Sequence, residues 1–117
     1  MASGFESLPV HDEAAALDIV EGERELLEEV IALFRESTAG RIDELRRAVD
    51  QSDLRGVANA AHSIKGAAAN ICAERVRALA TEVEKVALAG EKNALPTLAA
   101  SLCAEFDRFN QEVTFAA

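Results

Sequence analysis

The sequence predicts an all-α protein: an up-and-down antiparallel four-helix bundle with an additional short N-terminal helix. Three observations carry that expectation. Apolar residues recur with the helical period almost everywhere, and no strand-like alternation persists. Half of the 117 residues are hydrophobic, yet there are five Phe and no Trp or Tyr. The core must therefore be built from Ala, Leu, Val and Ile, the usual filling of close-packed helices. Finally, the connections between helical segments are short, so consecutive helices should be antiparallel neighbours. The length fits one core. Residues 12–115 are expected to form a single domain, and residues 1–11 a flexible N-terminal segment.

A first, short helix is expected over residues 12–20, ending near Gly22. The next covers about 23–36 and carries Leu27, Val30, Ile31 and Phe34 on one stripe. At Thr38, Ala39 and Gly40 a break or bend is expected, Gly and Thr being weak helix formers, with a further helix over 40–50 turning Ile42, Leu45 and Val49 inward. Ser52 and Asp53 are good N-caps for a helix over 53–71. A helix over 74–89 places Val76, Leu79, Val83 and Val86 inward, and Gly90 stops it. The last helix spans 93–113; Asn93 can cap it, and Pro96 is tolerable in the first turn, where amide donors are unpaired anyway.

The formal net charge is −9, unevenly spread. Residues 1–36 hold ten acids and two bases, a net of −8; the remainder holds eleven acids and ten bases, a net of −1. Such a chain repels phosphate backbones, so nucleic acid is an unsuitable partner. Cys72 and Cys103 offer no disulfide framework and no metal-ligand spacing. No run approaches the length of a membrane span, and the N-terminus lacks the marks of a signal peptide. A reduced, cytoplasmic setting, a monomer and no membrane are expected.

Residues 60–70, AAHSIKGAAAN, carry the chemistry. At about 100° per residue, Val57, Ala61, Ile64, Ala68 and Ile71 fall within about 40° of one direction and form a seam. Measured from Val57, His62 lies about 140° away, Lys65 about 80°, Gly66 about 180° and Ala69 about 120°. The histidine faces outward, with Ala58, Lys65, Gly66 and Ala69 around it. A solvated face normally carries long charged side chains, and Gly66 in a helix interior costs roughly 1 kcal/mol against Ala. A glycine there lowers the surface beside the imidazole and permits close approach.

Neutral imidazole is a competent nucleophile near neutral pH. A lysine one turn away can offset the charge of a transferred phosphoryl group. There is no P-loop, no nucleotide-binding Gly-rich loop, no H-E-x-x-H and no carboxylate dyad around His62. The chain has a nucleophile and a cation but no machinery for ATP or a metal, so a partner must bring the rest of the active site. His11 lies in the N-terminal segment without such surroundings and is read as incidental.

At these residues the sequence resembles the histidine-containing phosphotransfer (HPt) domain family. AHSIKGAAANICAERV is similar to the family signature of His, two residues, Lys, Gly and then small residues. GERELLEEVIALFRESTAGRIDELRRAV upstream and LATEVEKVALAGE downstream extend the likeness over about residues 20–91. The resemblance implies His62 as phosphoacceptor, Lys65 as the lysine beside the phosphate, and Gly66 as the glycine where a response-regulator receiver docks. It implies receiver domains and a sensor or hybrid histidine kinase as partners. It implies no cofactor and no metal on this chain, the Mg2+ belonging to the receiver. The family usually has glycine, suited to a left-handed helix end, where this chain has Cys72, and many members carry Gln near Glu84. If Glu84 approaches His62 it could orient the ring but would oppose the phosphate, so it stays outside the expected site.

The expected function is relay of a phosphoryl group through His62 between receiver aspartates, a phosphocarrier rather than an enzyme with its own kinase chemistry. The alternatives are the phosphoacceptor module of a chemotaxis-type kinase and a helical adaptor that transfers nothing. Leu26 and Leu33, seven apart on the flank of the Leu27 stripe, are either the edge of the core or an apolar receiver-binding surface. Leu33 is assigned to docking together with Gly66, Ala58 and Ala69.

Overall fold

The structure, a computed structural model, describes residues 4–114. These residues are all-helical. Five α-helices run α1 (Glu13–Ile19), α2 (Arg24–Asp50), α3 (Leu54–Asn70), α4 (Glu74–Leu88) and α5 (Leu95–Glu112), with short 3-10 turns at Phe5–Ser7 and Lys92–Ala94. The four long helices touch in a closed circuit: α2 with α3, α3 with α4, α4 with α5, and α5 with α2. The core inside that circuit is aliphatic, with a small aromatic centre where Phe34 meets Phe106 and Phe109 edge to face.

The expected break at Thr38–Gly40 does not occur; α2 runs through it without interruption. The reason lies in the seam. Leu27, Ile31, Phe34, Thr38, Ile42 and Leu45 are all buried, and their spacing of four, three, four, four and three keeps one face toward the core. Thr38 takes a core position in that series. Burial along a 27-residue helix outweighs the roughly 1 kcal/mol that one exposed glycine costs. Val30 and Val49, also expected inward, are half-buried at the edge of the core.

The helix ends share one device. Each of α1 to α4 is followed by a residue in the left-handed region: Glu21 (φ 55), Ser52 (φ 54), Cys72 (φ 59) and Gly90 (φ 77). In each case the next amide reaches back to a carbonyl five residues earlier, as Asp53 N to Ala48 O (2.8 Å) and Ala73 N to Ala68 O (3.0 Å). This pairing satisfies carbonyls that the helix itself leaves open. Ser52 is therefore the end of α2 and not a cap of α3. Asp53 alone caps α3, accepting a hydrogen bond from the Gly56 amide at 3.0 Å. Asn93 likewise does not cap α5: it sits inside the 3-10 turn, and Ala94 precedes the helix without a side-chain cap.

The N-terminal segment was expected to be flexible. Residues 1–3 lie outside the described residues; in residues 4–11 two carbonyls are bonded to the body of the bundle. Arg75 on α4 donates to the Leu8 and Glu6 carbonyls at 2.8 and 3.0 Å. His11 sets its ring edge-on against Phe109, at 5.4 Å between centroids. Burial pushes the His11 imidazole below its usual pKa, against a backbone contact at Ile71 and the nearby Glu13 and Asp12, which push the other way.

Candidate functional site

The seam of α3 is buried as its spacing requires: Val57, Ala61, Ile64, Ala68 and Ile71 all lie in the core. That orientation turns His62 outward, and its side chain is 67% exposed. Gly66 and Ala69 are exposed on the same face. A Cβ placed on Gly66 would meet nothing within 4 Å, so the glycine leaves the surface low without serving the protein's own packing.

Ala58 departs from the expected patch. It is 6% exposed and belongs to the core. It lies about 100° from Val57, on the same flank as Lys65, and that flank is where α4 packs. A methyl at the helix edge is covered there, whereas the longer His62 and Lys65 side chains reach past it.

The residue that organises the site is Glu84 on α4, which the sequence reading left outside. Its side chain is 17% exposed. Its Oε2 lies 2.8 Å from His62 Nδ1, and its Oε1 accepts a hydrogen bond from Lys65 Nζ at 2.6 Å. The Lys65 ammonium, and after it the His62 ring, hold the Glu84 carboxyl below the usual carboxylate range, against the opposing effect of burial. An ionised carboxylate only accepts, so Nδ1 is the nitrogen that donates. The lone pair then resides on Nε2, which has no hydrogen-bond partner among the described residues. The result is an exposed imidazole engaged through Nδ1, with Nε2 left open and a cation beside it. A lysine has three donors, and one engages Glu84, so Lys65 can keep that contact while reaching an oxyanion near His62. The signal for Glu84 in the sequence was only its place on the helix after the turn; the contact spans 22 positions and depends on how α3 and α4 meet.

Leu33 is 66% exposed, and Leu26 is exposed on the same helix. Two shallow clefts share Arg41 and Glu44 as a common wall. One is lined by Leu33, Glu36, Ser37 and Gly40; the other reaches Asn59 and Ser63, on either side of His62 in sequence. The α2 surface carrying Leu33 thus continues toward the histidine face. His11 lies elsewhere, against Phe109. Among the described residues no group of three or more His, Cys, Asp and Glu could hold a metal ion, and no helix is long and apolar enough to cross a membrane.

An outward imidazole with a lysine and a glycine one turn on, carried by an all-helical scaffold, defines a class. The family model of the Hpt domain matches residues 29–112, and the chain belongs to that family. Its function is histidine phosphotransfer in a phosphorelay, the exchange of phosphoryl groups with kinases and receiver domains. Among solved structures it is similar to the crystal structure of histidine-containing phosphotransfer protein B (HptB) from Pseudomonas aeruginosa PAO1. The two share 25% sequence identity with a TM-score of 0.80, over 89% of this chain and 94% of that one. No curated protein sequence matches the chain.

Proposed function

We propose that His62 is the phosphoacceptor and relays the phosphoryl group between receiver aspartates. The observation that carries this reading is the exposed ring whose Nδ1 is engaged by Glu84 while Nε2 stays free. Nε2 attacks phosphorus, and Lys65 offsets the charge of the arriving phosphoryl group. Gly66 and Ala69 form the low ground on which a receiver settles, and Leu33 supplies an apolar contact on its α2 side. Mg2+ stays with the receiver. We read the four long helices as an up-and-down antiparallel bundle with α1 as its short addition, in one domain over residues 12–115, of which residue 115 lies outside the described residues. The closed circuit of contacts and the brief connections at residues 51–53 and 71–73 support that arrangement. The protein acts as a cytoplasmic monomer in this reading.

The test is phosphorylation by a receiver carrying aspartyl phosphate. Label should appear on the protein in an acid-labile, base-stable form, map to Nε2 of His62, and vanish in His62→Gln. Label that persists in that variant, or maps to His11, overturns the assignment.

A further inference from the structure

Resting on His62 as phosphoacceptor, we infer that Glu84 keeps the proton on Nδ1 after Nε2 is phosphorylated, so that the phosphorylated ring is a cation ready to leave in the next transfer. The argument follows the proton. In the resting state Nδ1–H donates to Glu84 Oε2 at 2.8 Å. The Nε2 lone pair forms the N–P bond as the P–O bond of the aspartyl phosphate breaks, and that electron pair departs on the receiver carboxylate. No proton moves in this step. The ring now carries hydrogen on one nitrogen and phosphorus on the other, and is therefore an imidazolium.

What happens next depends on that proton. If it stays, attack on phosphorus by the next acceptor expels a neutral imidazole. If it is lost, the departing group is an imidazolate, a far stronger base and a far poorer leaving group. A carboxylate within hydrogen-bond distance favours the charged ring, and this one sits in a partly buried place where the effect is less screened by water. Glu84 also neutralises Lys65, whose ammonium would otherwise oppose a positive ring nearby. An amide in place of the Glu84 carboxylate accepts the same hydrogen bond without the charge, so Glu84→Gln separates the bond from the charge.

The charged groups that meet His62 are Glu84 on α4 and, through it, Lys65 on α3, and these are the two that the comparison varies. The cleft that reaches Ser63 brings Arg41, Glu44 and Arg47 from α2 and Asp53 from the start of α3, with Arg41 and Glu44 paired at 3.4 Å, and these stay constant.

The experiment uses phosphoramidate as donor, which needs no docking. Wild type, Glu84→Gln and Lys65→Met are phosphorylated, and 15N NMR follows Nδ1 of the phosphorylated ring from about pH 5 to about pH 9, alongside the rate of phosphate loss to water. The Glu84→Gln ring should lose its proton about one pH unit or more below wild type, and its phosphate loss should slow correspondingly earlier as pH rises. Lys65→Met should move the midpoint upward, a second reading independent of the glutamine variant. Coincident midpoints in wild type and Glu84→Gln overturn the inference while leaving His62 as acceptor. Absence of phosphate on His62 in wild type overturns the parent reading instead.

Discussion

At the scale of single residues, the proposed function gives three side chains different tasks. In that reading His62 supplies the nucleophile, Glu84 orients the ring through Nδ1, and Lys65 brings a positive charge. Lys65 lies about 80° from the seam of α3, so its removal should leave the fold intact. A charge-assisted contact is worth roughly 1.5–3 kcal/mol, so Lys65→Ala should slow transfer from a phosphorylated receiver by about tenfold or more. Stopped transfer assays beside a thermal melt check this; unchanged kinetics would make Lys65 a partner of Glu84 only. The shared outward face of His62, Lys65 and Gly66 was legible in the sequence because they lie on one helix, and a helix's faces follow from its period alone. Glu84 was not, because its role depends on the register between α3 and α4. Ala58 was misplaced for the same reason: the angle on α3 was read correctly, but the reach of α4 over that flank is a property of the pair.

At the scale of elements, the helices themselves followed from periodicity, while the details of their ends and of one middle did not. Thr38 and Gly40 look like an interruption when judged locally, yet Thr38 continues the buried face of α2. Propensity is a weak prior, and a long amphipathic helix overrides it. The helix ends make a more specific prediction. Ser52 is exposed and holds φ 54, a conformation that costs an L-residue about 1–2 kcal/mol, of which the greater unfolded freedom of glycine returns about 0.5–1. Ser52→Gly should therefore raise stability by up to about 1 kcal/mol, seen as a higher Tm by a few degrees. A lower Tm would show that the serine side chain contributes more than its backbone strain.

Gly66 belongs to the same scale, and the proposed function gives it a place in docking. With nothing within 4 Å of its would-be Cβ, Gly66→Gln should melt at or above the wild-type temperature. It should nonetheless lose transfer from a phosphorylated receiver, because reacting atoms must come within roughly 3–3.5 Å and a glutamine holds the surfaces apart. Phosphoramidate should still label it. Equal loss with both donors would mean damage to His62 itself, and no loss with either would remove Gly66 from the interface.

At the scale of the whole molecule, His11 couples stability to pH. Its imidazole is pushed down chiefly by burial, so the folded state binds a proton less readily than the unfolded chain. Stability should hold above the ordinary histidine value of about 6.5 and fall as pH drops below it toward the lower folded value. Melts across that window should show the slope in wild type and a shallower one in His11→Phe, which keeps an aromatic edge against Phe109. Parallel slopes would move the cause to another group.

The docked N-terminal segment has one more consequence, for how the domain can be joined to others. Val10 and His11 line the same cleft as Glu112, Val113 and Thr114, and the Asp12 amide bonds the Cys72 carbonyl at 3.0 Å, just past the end of α3. Residues 10–12 and the end of α5 thus run side by side, about 13 Å along α3 from His62. Residues 4–8 lie instead along α4, beside Ala78 and Glu82. A partner fused ahead of residue 4 would therefore leave from the flank of α4, whereas one fused after residue 114 would leave from the pole, so the two ends are unequal places for an attachment.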